Sequence, residues 1–260
     1  MIPIQFSHAN GFPAKSYQFF FDQLQPHPVS YVNVFGEGKP NISTWEPYLE
    51  ELILDIEAKH DRPVIGLGHS FGGALTLKAA MLRPDLFEKV IMLDPPIFGR
   101  FKRNMIRAVN LLGITEKTVP IVKKAANRRD HFANKKEAFD YWQPKGFFRK
   151  FHPTCFQAYV EEGLKPASEG GVELIISKQQ EVNVFKLPPR LSRTSIKIPA
   201  YFVYATQNGV LTPGEVKEHR RNFPGVEFIP WEGQHMFPLE EPVEAAAMVK
   251  TMIQGQGYNK

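Results

Sequence analysis

Hydrophobic and polar positions fall into two alternating patterns along most of the chain. Short apolar, β-branched runs occupy residues 2–6, 29–36, 62–70, 88–94, 198–205 and 226–231, and each predicts a strand. Between them, residues 15–24, 44–60, 72–84, 213–223 and 241–253 carry helical spacing. Leu49, Leu52, Ile53 and Ile56 share one face of the second of these helices, and Pro84 stops the third. Strands that alternate with helices need crossover connections, so the expected class is α/β with a mostly parallel sheet flanked by helices. The strands are almost entirely apolar, as expected when helices cover both faces.

The alternation breaks between residues 97 and 195. This interval is rich in Lys, Arg and aromatics, lacks clear strand runs, and reads as helices broken near Pro144, Gly146 and Pro153. It is expected to be a mostly helical cap inserted between two halves of a core, residues 1–96 and 196–260, with 188–193 as the return linker. No repeat or low-complexity tract interrupts the chain.

Composition narrows the classes. At 260 residues and 43% hydrophobic, the chain can bury one large core. The single cysteine, Cys155, rules out an internal disulfide and fits a reducing compartment. No basic n-region with a long apolar run opens the chain, and no stretch reaches membrane-span length, so a cytoplasmic protein without a signal peptide or span is expected. The net charge of +5 is best accounted for by a solvated basic surface. Aromatics and cations interleave from Lys123 to Tyr159, but no nucleic-acid motif accompanies them, so no nucleic-acid partner is expected. No His/Cys/Asp cluster has ligand spacing, and the glycines at 66–73 do not form a dinucleotide fingerprint, so neither metal nor cofactor is expected.

Chemistry concentrates at "GLGHSFGGA". Gly68, Ser70 and Gly72 spell G-x-S-x-G, with a strand before and a helix after. A serine raised on so sharp a turn leaves no room for side chains two positions either side, so glycine fits both. Phe71 then offers the first backbone N–H of the new helix, which suits an oxyanion.

With this elbow, the order of motifs resembles an α/β-hydrolase of the single-domain type with a helical cap: "SHANGFPA", "GHSFGG", "LDPP", an insert, "YATQNG" and "EGQHMFP". The match covers nearly the whole chain, and the core begins at the family's third strand, with the two leading antiparallel strands missing or reduced. The resemblance implies that Ser70 is a nucleophile and His235 its base. It also implies that an amide of Asn10, Gly11 or Phe12 completes the oxyanion site, with His8 bracing that loop. His69 and Trp142 are added as expected substrate contacts. The remaining histidines, His60, His131, His152 and His219 among them, are expected to be solvated.

One position departs from the family pattern. The turn after residues 198–205 ordinarily carries the acid, yet Asn208 stands there. Asparagine offers a carbonyl oxygen without charge, and asparagine in place of the acid of a serine-protease triad costs about 10⁴ in turnover. Asp94, ending another strand in "LDPP", is the expected substitute; Asn208 as a weaker orienter, or an altered acid, are the alternatives. The implied activity is hydrolysis of a carboxylic ester or thioester, a small-molecule substrate with a largely apolar acyl group beneath the cap. Acyl transfer, perhydrolysis and carbon–carbon bond hydrolysis use the same serine. A ligand-binding protein with a weakened triad is the alternative of a different class.

Overall fold

The computed structural model describes residues 1–39, 41–189 and 196–255. Its first half runs β1 (Ile4–Ser7), α1 (Gln18–Asp22), β2 (Val29–Tyr31), α2 (Glu46–Lys59), β3 (Val64–His69), α3 (Phe71–Leu82) and β4 (Phe87–Leu93). The interval that follows carries α4 (Arg100–Leu111), α5 (Thr115–Thr118), α6 (Pro120–Ala126), β5 (His131–Phe132), α7 (Lys135–Trp142), α8 (Pro153–Glu162), β6 (Leu164–Pro166), β7 (Val172–Leu174) and α9 (Lys178–Phe185). The chain then returns through β8 (Ala200–Ala205), α10 (Pro213–Asn222), β9 (Val226–Trp231), α11 (Phe237–Glu240) and α12 (Pro242–Ile253).

Six strands form one parallel sheet in the order β2-β1-β3-β4-β8-β9. Period-two alternation sends successive side chains to opposite faces. Ile65, Leu67, Ile91, Leu93 and Val203 join the core under α12, while Val64, Val90, Met92 and Phe202 join the core under α2 and α3. Both faces are covered, which explains why the strands are mostly apolar. This is the arrangement that the resemblance implies, and among the described residues the sheet starts at β1 without antiparallel partners.

The sheet order decides where a site can form. After β1 the chain moves outward to β2, whereas after β3 it moves the other way to β4. The loops leaving β1 and β3 therefore diverge at their carboxyl ends and open a crevice between them. "SHANGF" and "GHSFGG" are these two loops.

The interval after β4 also holds strands, where its sequence shows no clear strand run. β5, β7 and β6 form a three-stranded antiparallel sheet. Its strands are two or three residues long, too short for any alternation to register in sequence. α7 ends before Pro144 and Gly146, and Pro153 opens α8, at a first-turn position where its missing N–H costs nothing. Of the expected linker 188–193, residues 190–193 lie outside the described residues.

Candidate active site

Ser70 sits between β3 and α3 with φ 53° and ψ −120°, a backbone conformation that L-residues rarely adopt. The sequence permits it by removing side chains on both sides. A Cβ on Gly68 would lie 2.4 Å from the Gly72 carbonyl oxygen, and one on Gly72 would lie 2.0 Å from that of Ser7. The Ser70 amide is tied to the Leu93 carbonyl at 2.8 Å, which fixes the turn to β4. Phe71 is the first residue of α3, so its N–H has no acceptor within the helix and lies at the positive end of the helix dipole.

Two further side chains meet the hydroxyl. His235 Nε2 lies 3.0 Å from Ser70 Oγ, and His235 Nδ1 lies 2.7 Å from Asp94 Oδ2. Asp94 is fully buried, while the His235 side chain keeps partial exposure. A buried carboxylate is costly unless its lone pairs are satisfied. Here the Ala205 amide donates to Oδ1 at 3.1 Å and the Val210 amide to Oδ2 at 3.2 Å. The donors flank Asn208: Ala205 ends β8 and Val210 lies in the turn that follows. Asn208 is exposed and adopts φ 51°, a left-handed conformation that asparagine tolerates. The turn thus wraps Asp94 with its backbone, and Asn208 supplies the bend.

The loop after β1 closes a turn in which the Phe12 amide donates to the Ala9 carbonyl at 3.1 Å, with Gly11 at φ 81°. Positive φ at that position is the signature of a type II turn and suits glycine. The Phe12 amide is therefore taken, which leaves Asn10 and Gly11 of the three expected donors. Phe12 contributes its ring instead, packed 4.8 Å from Tyr159 and 5.9 Å from Phe151. His8 is buried, with Nδ1 2.8 Å from the Ala9 carbonyl and Nε2 accepting from the Phe35 amide at 3.1 Å. Burial pulls its pKa down to about 4, so the ring is neutral and serves as a brace.

The interval between β4 and β8 reaches the same loop. Asn10 Nδ2 donates to the Glu181 carbonyl at 2.9 Å, and the Glu181 carboxylate abuts Gly11. Arg128 bridges that carboxylate at 2.7 Å and the Tyr159 hydroxyl at 2.8 Å. In the sequence Arg128 is one of the cations interleaved with aromatics after Lys123. Nothing in its local pattern signals a partner 53 residues away.

His69 and Trp142 are not where substrate contacts would be. His69 is fully buried behind His235: its Nε2 meets the His235 carbonyl at 2.9 Å and its Nδ1 the Tyr17 hydroxyl at 2.7 Å. A carbonyl only accepts, so Nε2 carries the proton and Tyr17 donates to Nδ1. Burial, then the nearby His235, hold the His69 pKa well below its ordinary value. The pair fixes the backbone of the His235 loop, a role that the elbow motif does not advertise. Trp142 is enclosed by Phe132, Phe148 and Tyr159 as a packing residue. His219 is buried as well, against the Ile97 carbonyl, because α10 lays it on the sheet.

A sequence model described as the alpha/beta hydrolase family matches residues 6–248. Among curated proteins, a type I acyl-CoA thioesterase of Penicillium brevicompactum is 31% identical over 110 residues, covering 35% of this chain and 25% of that protein. The lipase LipV of Mycobacterium tuberculosis is 32% identical over 73 residues, covering 27% of this chain and 28% of its own. The matched stretches thus span about a quarter of these relatives' lengths. Among solved structures, E-2-(acetamidomethylene)succinate hydrolase superposes with a TM-score of 0.78 at 16% identity, covering 97% of this chain and 91% of that one. At that identity the likeness speaks to the fold alone.

Proposed function

The chain belongs to the alpha/beta hydrolase family, and we propose that it is a serine hydrolase that cleaves a carboxylic ester or thioester through an acyl-enzyme. What carries this reading is the unbroken contact from Ser70 Oγ to His235 to Asp94, at 3.0 and 2.7 Å, with the serine held at φ 53°. Ser70 Oγ attacks the substrate carbonyl as His235 Nε2 takes its proton. Asp94 fixes the imidazole tautomer and stabilises the imidazolium. The Phe71 amide and an amide of Asn10 or Gly11 hold the oxyanion, and charge that develops there is stabilised by dipoles already in place. Collapse expels the alcohol or thiol, protonated by His235. Water then attacks the acyl-enzyme with His235 as base, and Ser70 regains its proton.

The names of the curated relatives, a thioesterase and a lipase, support an ester or thioester bond as the target. The Phe12, Phe147, Phe151 and Tyr159 rings beside the β1 loop support a largely apolar acyl group of medium length. The segment between β4 and β8 would then act as its lid. Acyl transfer, perhydrolysis and carbon–carbon bond cleavage remain alternatives that an acceptor panel separates. The Asp94–His235 contact weighs against a binding protein with a weakened triad.

A fluorophosphonate probe tests the reading, since it reacts only with an activated serine. Rapid labelling that Ser70→Ala abolishes, with faster turnover of longer p-nitrophenyl esters than of acetate, is the expected result. A folded protein that stays unlabelled would remove the enzyme reading, and equal rates on all chain lengths would remove the apolar acyl site.

A further inference from the structure

Six residues after Asp94 the chain enters α4, a helix whose outward face is apolar except for Asn104. Phe101, Met105, Ala108 and Leu112 recur at steps of four, three and four, which places them on one stripe. All four are exposed, Phe101 by 84% and Leu112 by 71%, and Leu111 beside them by 90%. Ile114 and Ile121 extend the exposed apolar surface into the following turn and α6. The opposite face is anchored. Ile106 is buried, the Gly99 and Arg100 amides donate to Glu215 and Glu218 at 3.0 and 3.2 Å, and Asn110 Nδ2 donates to the Lys186 carbonyl at 2.6 Å. The apolar stripe is therefore presented by a helix that cannot turn it inward.

Charge distinguishes between possible occupants. From Arg100 to Lys124 the chain carries seven Lys or Arg and one acidic residue, Glu116. Glu116 is itself paired with Lys186. Arg100 and Arg107, seven residues apart, share one edge of the apolar stripe. A second copy of the same face would bring like charges together. Nucleic acid would leave the aromatic and aliphatic stripe without a partner. An anionic lipid surface satisfies both: headgroups meet the cations while Phe101, Met105 and Leu112 enter the acyl boundary. We propose that α4 and the turn after it dock this protein onto anionic phospholipid membranes. No helix among the described residues is long and apolar enough to cross a membrane.

The test is co-sedimentation of the full chain with phosphatidylcholine vesicles containing about a third phosphatidylglycerol, against vesicles of phosphatidylcholine alone. Binding to the anionic vesicles that weakens steeply as salt rises is expected. Phe101→Ser with Leu112→Ser should lower the partition coefficient at least about tenfold, as should Arg100→Gln with Arg107→Gln. Circular dichroism confirms that these exposed substitutions leave the fold intact, and the wild-type comparison of the two lipids stands without them. Absence of binding to anionic vesicles overturns the proposal, and so does equal binding to both lipids or binding that the folded variants retain. A concentration-dependent dimer dissolved by Phe101→Ser and Leu112→Ser, without vesicle binding, assigns the face to a second copy instead.

Discussion

Asp94 is a point of convergence for three donors: His235 Nδ1 and the amides of Ala205 and Val210. Removing its charge leaves those donors around a neutral amide, one of whose groups is itself a donor and clashes with them. Asp94→Asn should therefore fold but lose about 10³- to 10⁴-fold in kcat, following the cost of a wrong histidine tautomer. Asn208→Asp should change kcat by less than about threefold, because the side chain lies at the exposed tip of the turn and aspartate also tolerates its φ. Ester kinetics on the two variants decide the matter, and a large gain from Asn208→Asp would overturn the assignment to Asp94. At this scale the sequence is informative where the chemistry restricts the backbone. Gly68 and Gly72 betray Ser70 because no other residue fits beside it. The reach of Asp94 to His235 is not legible in the same way. It depends on φ 44° at Asp94 and on amides 111 and 116 residues further on, neither of which leaves a mark in local spelling.

The elements that carry the site are braced by buried neutral histidines, and this makes the fold sensitive to acid. His8 holds the β1 loop to Phe35, with its pKa lowered from 6.5 to about 4 by burial. Above pH 6.5 the ring is neutral whether the chain is folded or not, and titration contributes nothing. As pH falls below 6.5 the unfolded chain takes up a proton that the folded one refuses, so stability drops until about pH 4. The loss over that window is roughly 3 kcal/mol from this one ring. Chemical denaturation at several pH values should give His8→Asn a shallower dependence than wild type between pH 6.5 and 4; identical slopes would show that His8 does not titrate in this way. The strands themselves are legible in sequence because covering both sheet faces requires continuous apolar runs. β5, β6 and β7 are not, since two or three residues cannot display a period.

Across the whole molecule, hydrophobic patterning suggests a core interrupted by a separate insert, but packing joins them. One buried cluster contains Phe6, Leu67 and Met248 from the sheet and its helices together with Phe132, Trp142, Phe148 and Tyr159 from the interval between β4 and β8. Patterning along the chain shows which faces are apolar; it does not show which faces meet, and α8 meets the segment before α1 through residues more than a hundred positions apart. A segment that shares its core with the sheet unfolds with it. Trp142 tests this because it is almost fully buried on the insert's side of the shared cluster. Trp142→Ala should cost about 3–5 kcal/mol, from lost burial and the cavity left behind. Calorimetry should record that loss as one transition moved to lower temperature. Two resolved transitions, with the upper one unmoved, would mean that the insert folds as a body of its own and that the contacts of Asn10 and Phe12 with Glu181 and Tyr159 form only when it docks.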